Sequence, residues 1–252
     1  RHVQAAARRR GHPVKLAARV PATPEFAYAK GFDAVRWARE GLVDMIVVSD
    51  FWSGCGDFPI ERWRAQIGPA GAACKLMACT AGTYSCVPNG FQFVHTIASQ
   101  RGFTAAMADR GADGIYLFNH FHPVSEMLRM RTPEGKSVED GTLADRFRAA
   151  ADIEGASARR RIHPLALHDC LPDKTDYCPP LPAALAPDAP PASFRLHTGP
   201  KPAASSVCRL FVGLGATNGV EAAQLAARVN GTACKPLPDL PRPANPEYLK
   251  PK

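Results

Sequence analysis

An α/β fold built on a parallel sheet is what this sequence predicts, and two matching segments predict it. Glu40-Gly-Leu-Val-Asp-Met-Ile-Val-Val-Ser-Asp50 and Arg110-Gly-Ala-Asp-Gly-Ile-Tyr-Leu-Phe-Asn-His120 each close a helical stretch at a Gly. Each then passes through an Asp, runs through apolar residues without alternation and finishes on polar ones. Such runs suit strands buried on both faces, as in a parallel sheet with helices outside. A third observation is that helical and strand patterns alternate along residues 15–151, which is the pattern of strand–helix units.

The elements follow in order. Residues 15–20 read as a first strand, bounded by Gly11, Pro13 and Pro21, with Pro24 breaking the chain again. A helix is expected from about Asp33, whose carboxylate can cap the free amides of the first turn. Val35, Trp37 and Ala38 give it an apolar side, and Gly41 a left-handed stop. A strand at 45–48 comes next. A loop at 51–59 leads to a helix around 60–66, with Pro59 suited to a first helical position. The strand at 75–80 enters Ala-Gly-Thr-Tyr-Ser. A longer helix is expected over 91–110, with Phe93, Ile97, Thr104 and Met107 on one side and Gly102 weakening its middle. A strand at 114–118 and a helix near 142–151 complete the series.

The expected fold is thus α/β: a partial (β/α)₈ TIM barrel of about four strand–helix units, half the usual eight. A half barrel leaves two open parallel edges, which invite self-association. Either a preceding segment supplies the remaining units or two chains complete one barrel, and a preceding segment is the favoured expectation. The partial barrel is assigned to residues 1–168 and a Pro- and Ala-rich linker to 169–193. A small β-rich C-terminal region follows at 194–235, with strands expected at 194–197 and 208–212 and a turn at Val229-Asn-Gly231. Residues 236–252 read as an extended or disordered tail.

The formal charge of +8 gathers partly in the arginines at 8–10 and 159–161. Neither cluster carries the interleaved aromatic residues of a nucleic-acid interface, so both read as solvated helix faces and no nucleic-acid partner is expected. No apolar run is long enough to suggest a membrane span, so no membrane partner is expected either. No leader is visible, but the chain starts at Arg1, so the compartment stays open. Of the eight cysteines none form a C-x-x-C pair, which argues against structural zinc. Disulfides and reduced core thiols both remain open.

Several motifs together resemble the later part of the glycoside-hydrolase-like proteins grouped near family 10. They are Arg19-Val-Pro-Ala-Thr-Pro, Gly31-Phe-Asp-Ala-Val-Arg-Trp-Ala-Arg-Glu-Gly-Leu-Val-Asp44, the strand ending in Ser49-Asp50, Asp57-Phe-Pro-Ile-Glu-Arg-Trp63 and Gly111-Ala-Asp-Gly-Ile-Tyr-Leu-Phe-Asn119. The resemblance covers roughly residues 15–125 and, more loosely, the C-terminal region. It implies a TIM barrel of which these four strands are the fifth to eighth, a carbohydrate ligand and possible hydrolysis. In many retaining barrels resembling this clan the seventh strand ends in a nucleophilic Glu. Here the strand at 75–80 runs into Thr80-Ala-Gly-Thr-Tyr84 without a carboxylate, so beside a glycoside hydrolase acting on a carbohydrate stands the alternative of a non-catalytic carbohydrate-binding or structural barrel module.

In parallel α/β folds function gathers at the carboxyl ends of the strands. That makes Asp50 the candidate catalytic residue, as acid/base or hydroxyl-binding group, against the favoured plain alternative that it caps the next turn while Trp52 packs the loop. Most glycosidases need two carboxyl groups, about 5–5.5 Å apart for retention or about 6.5–9.5 Å for inversion. Trp52 is a candidate to stack on a sugar, while Arg19, Tyr84, Asn119 and His120 are candidate hydrogen-bonding groups. Arg19 could instead pair with Asp50, and Tyr84 could simply pack its loop. His120 and His122 would share a face of an extended segment, but no third ligand is evident, so no metal and no cofactor are expected. Asp44 and Asp113 precede their strands and belong to the opposite, stabilising end. Glu61 opens a helix, where its charge suits the dipole.

Overall fold

Four apolar segments become the strands of one parallel sheet. The structure, a computed structural model, describes residues 2–50, 56–85, 92–94, 96–118, 120, 129–131, 137–139, 141–165, 177, 181, 183, 190–212, 225–237 and 245–246. In chain order the elements are α1 (His2–Arg10), β1 (Ala17–Pro21), α2 (Pro24–Ala29), α3 (Ala34–Arg39), β2 (Met45–Ser49) and α4 (Ile60–Ile67). Then come β3 (Lys75–Ala81), a hairpin of β4 (Thr83–Ser85) and β5 (Gln92–Val94), α5 (Ile97–Asp109) and β6 (Gly114–Phe118). They are followed by β7 (Arg129–Arg131), β8 (Ser137–Glu139), α6 (Leu143–Ala151) and α7 (Ile153–Ala158). The last elements are β9 (Arg228–Val229), β10 (Thr232–Ala233) and β11 (Asn245–Pro246), which pairs with β7.

Local chemistry sets the helix starts. The Asp33 carboxylate accepts the N–H of Arg36 at the head of α3, as expected. Pro24, expected to break the chain, instead opens α2: the Thr23 hydroxyl accepts the N–H of Phe26, and proline costs nothing where no donor is needed. The long helix begins at Ile97 rather than near 91, because residues 92–94 pair as a strand and Thr96 caps Ser99. A separate short helix, α7, follows α6 because Asp152 caps Gly155.

The sheet has the order β1-β2-β3-β6, every neighbour parallel. Ser49 lies beside Cys79, and Cys79 beside Tyr116. Val20, Ile46, Val48, Leu76 and Ala78 face the helices and meet Ile60, Trp63 and Ile67 of α4 and Phe103, Ala106 and Met107 of α5. Each large side chain among them stabilises the fold by roughly 1.5–3 kcal/mol relative to exposure. The Trp63 indole also donates to the Ala22 carbonyl at 2.9 Å. By alternation Arg19, Val47, Ser49, Met77, Cys79, Tyr116 and Phe118 occupy the other face.

The repeated Asp before each strand pins the sheet at its amino end. Asp44 accepts the N–H of Leu16 at 2.9 Å, and Asp113 accepts the N–H of Leu76 at 2.7 Å. Lys15 holds the Asp44 carboxyl below its ordinary range, with the Leu16 amide adding to it. Both carboxylates belong to the stabilising end.

Helix α5 is enclosed on several sides, burying residues from Ser99 to Met107 apart from Arg101. Gly102 is required there. A Cβ at this position would lie 2.2 Å from the Ile162 carbonyl oxygen. The expected strand at 194–197 does not form, because the His197 N–H goes to Asp57 at 3.0 Å instead of a ladder. The expected strand at 208–212 is also absent; Leu210, Phe211 and Val212 are exposed and lie in no sheet.

The chain divides into two compact units, residues 1–201 with 244–252, and residues 202–243. The second contains the antiparallel pair β9–β10. Its turn places both Asn230 (φ 48°) and Gly231 (φ 80°) in the left-handed region, which the Val229-Asn-Gly231 signal anticipates.

Candidate functional site

The polar groups that follow the strands gather around the tip of β3. Cys79 is buried there, and burial raises its thiol above the ordinary value, so it is not an activated nucleophile. The Ser49 side chain, the positive charge of Arg19 and the negative charge of Asp50 all act on that thiol. One group therefore has Arg19 from β1 and Asp50 from the end of β2 within electrostatic reach. The alternative that Arg19 pairs with Asp50 is not met among the ion pairs of the described residues. Arg19 instead stacks on Phe118, its guanidinium carbon 3.8 Å from the ring centroid.

His120 joins from the end of β6. Burial pulls it from 6.5 to about 4, and the Arg146 charge on α6 pushes the same way, so the ring is neutral at pH 7. The carbonyls of Thr80 and Ala81 approach it, yet among the described residues neither ring nitrogen completes a hydrogen bond. A neutral imidazole of this kind can donate through one nitrogen and accept through the other.

Asp50 is only 7% exposed. Strand alternation turns it toward the helix-ward side, and a residue from far along the chain meets it there: the Tyr177 hydroxyl donates to its Oδ1 at 3.1 Å. Tyr177 packs against the helix-ward core. Ser49 Oγ donates to the Asp50 carbonyl at 2.6 Å, holding the strand end.

A second carboxylate follows β2, but it is committed. Asp57 takes Arg110 at 2.8 Å on one oxygen and the His197 N–H at 3.0 Å on the other. Burial raises its carboxyl while Arg110 and His197 oppose that. Glu61 is bound by the same guanidinium at 3.0 Å, in the first turn of α4.

Two buried polar residues were not legible as site candidates. Gln100 on α5 has no exposed surface, and neither of its amide atoms finds a partner among the described residues. It shares a helical face with Phe103, Thr104 and Met107, so the signal was a Gln inside an apolar stripe. Arg146 on α6 is 2% exposed and stands at i−3 and i−4 from buried Ala149 and Ala150. Helices α5 and α6 run side by side in the same direction: a Cβ on Gly141 would meet Ile97, and Thr104 donates to the Ala149 carbonyl at 3.2 Å. Gln100 and Arg146 therefore lie at similar heights, near the strand tips. Tyr177 falls in the Pro- and Ala-rich stretch read as a linker, where no periodicity marks it.

Trp52, Asn119 and His122 lie outside the described residues, as does the side chain of Tyr84, whose backbone belongs to β4. Among the described residues no three His, Cys, Asp or Glu side chains gather as a metal site. Cys74, Cys79, Cys208 and Cys234 are free thiols. No described helix is long and apolar enough to cross a membrane. A small recess lined by Phe103, Ala106, His163, Pro164, Leu196 and His197 lies against α5 and includes no strand-tip residue. No protein-family model matches the chain, and no curated protein matches it significantly.

Proposed function

We propose that this chain is half of a (β/α)₈ barrel of glycoside-hydrolase-like type and that it holds a carbohydrate at the strand tips. The observation that carries the reading is that the charges of Arg19 and Asp50 both reach Cys79 near the end of β3, while neutral His120 stands by the carbonyls of the neighbouring Thr80 and Ala81. A sugar hydroxyl both donates and accepts. A carboxylate, a guanidinium and a neutral imidazole together offer both kinds of partner. Arg19 stacked on Phe118 adds a flat, partly apolar surface for a sugar face.

The barrel reading is supported by the sheet order. The strands follow one another in sequence without reversing direction, as they do around a barrel. One half of a doubly wound sheet shares this sequential order, so the choice of a barrel rests on the sequence resemblance. The same reading leaves β1 and β6 as edges that further strands, from this protein or a second copy, would extend.

Binding is favoured over hydrolysis because two unlike carboxyl groups are needed for the usual mechanism. Asp57 spends both oxygens on Arg110 and the His197 amide, so it does not supply the partner for Asp50.

Isothermal titration with a panel of neutral and acidic oligosaccharides tests the reading. At least one is expected to bind, and Asp50→Asn should weaken that binding by about tenfold, or roughly 1.4 kcal/mol. Equal affinity in the variant removes Asp50 from the site. Steady turnover of aryl glycosides that Asp50→Asn abolishes would instead install Asp50 as a catalytic residue.

A further inference from the structure

The segments on either side of Tyr177 in the sequence both return to α5. In the first, the Ile162 N–H donates to the Ala98 carbonyl at 3.0 Å, and the Ile162 carbonyl fills the space that Gly102 leaves. In the second, the His197 N–H donates to Asp57 at 3.0 Å, and its Nε2 lies 2.8 Å from Asp109 Oδ2. Gly199 runs against the α5 backbone, where a Cβ would come within 2.7 Å of the Ala105 carbonyl. Arg161 ties the two segments to each other, donating to the carbonyls of Thr198 at 3.1 Å and Pro200 at 3.3 Å.

Tyr177 thus lies in sequence between two described segments, 161–164 and 197–200, that are both fixed on α5. The cost of bringing a distant residue to a target grows with the length of free chain, and fixing both ends reduces it. The Tyr177–Asp50 hydrogen bond spans a sequence separation of 127 residues, and its acceptor is a carboxylate, where a donor acts most strongly.

We propose that Tyr177 is a positioning residue for Asp50, and that the double anchorage on α5 keeps it in place. The hydroxyl fixes the orientation of the carboxylate at the end of β2, so the site receives its ligand with Asp50 already set. Preset polar groups bind more tightly because they need not be ordered on binding. The role assigned to Asp50 rests on the strand-tip reading, but the hydrogen bond and its anchorage can be tested without any sugar.

The test is the side-chain carboxyl ¹³C signal of Asp50 in the full chain labelled at aspartate. In Tyr177→Phe that signal is expected to shift while those of Asp44 and Asp113 stay in place. Tyr28→Phe, which alters an exposed ring elsewhere, is expected to leave Asp50 unmoved. Arg161→Gln keeps Tyr177 but loosens the anchorage, and it should move the Asp50 signal in the same direction as Tyr177→Phe. An Asp50 signal unchanged in Tyr177→Phe overturns the positioning role. A signal that moves in Tyr177→Phe but not in Arg161→Gln overturns the anchorage. If Tyr177→Phe fails to fold, as judged by circular dichroism, the Arg161→Gln result decides alone: no movement of Asp50 there counts against the proposal as a whole. If Asp50 responds as expected while no oligosaccharide binds, the carbohydrate reading fails and the positioning role stands.

Discussion

Gln100 is a buried amide without partners among the described residues, in a helix that otherwise buries apolar or small side chains. Leaving such a group unsatisfied costs about 1–3 kcal/mol, and an apolar residue of the same shape relieves that cost. Gln100→Met is therefore expected to stabilise the protein by about 1–3 kcal/mol in urea denaturation. An unchanged or lower stability would mean that an ordered water satisfies the amide. Natural proteins tolerate such sites where function needs them, and Gln100 lies at the height of the strand tips beside Arg146. Among residues, Asp50 and His120 follow β2 and β6 as counting along the chain places them, whereas Arg19, expected to end the first strand, lies at the middle of β1 opposite Val47. Tyr177 could not be placed by counting, because its partner is distant in sequence and its neighbourhood has no periodic pattern. Arg146 and Gln100 were hidden differently. Each is a polar residue on the buried face of a helix, and a sequence pattern cannot tell such a residue from one turned to solvent.

The strands and helices divide along the same line between local and distant causes. Strands β2 and β6, with their preceding Asp and following polar residues, were set by local pattern and lie where that pattern puts them. So was the Asp33 cap. The segment at 194–197 has strand-like alternation, yet its amide is taken by Asp57 across a sequence separation of 140 residues. No local rule could anticipate that. Gly102 gives the sharpest test of this distinction. Helix propensity alone says that Gly102→Ala should stabilise α5 by about 1 kcal/mol. The close Ile162 carbonyl says the reverse, since backbone on both sides cannot yield easily. The variant is expected to be destabilised by about 1–3 kcal/mol in urea denaturation, as overpacking costs. A gain in stability would show that the 161–164 segment does not lie on α5.

For the molecule as a whole, two buried histidines make stability depend on pH. His163 and His120 have an ordinary value of 6.5, and burial pulls both to about 4 in the folded chain. Between those values the unfolded chain takes up protons that the folded chain refuses. Stability is therefore at its full value above pH 6.5 and falls as pH drops toward 4. Urea midpoints at about pH 7, 5.5 and 4.5 should decline in that order, and His163→Leu should flatten the decline. A midpoint that rises on acidification would contradict the burial of both rings. The parallel sheet was readable from the sequence because its strands are uniformly apolar. The surroundings of the strand tips were not, because Arg146, whose charge acts on His120, and Tyr177, which bonds Asp50, come from outside the four strands. The central claim is that the ends of β1, β2, β3 and β6 form one carbohydrate site, and amide NMR during titration with oligosaccharides tests it most directly. A single site there gives saturable shifts at Arg19, Asp50, Thr80 and His120 with one shared dissociation constant, while Asp44 and Asp113 at the opposite end stay still. Shifts confined to other surfaces, or none with any sugar in the panel, would contradict it.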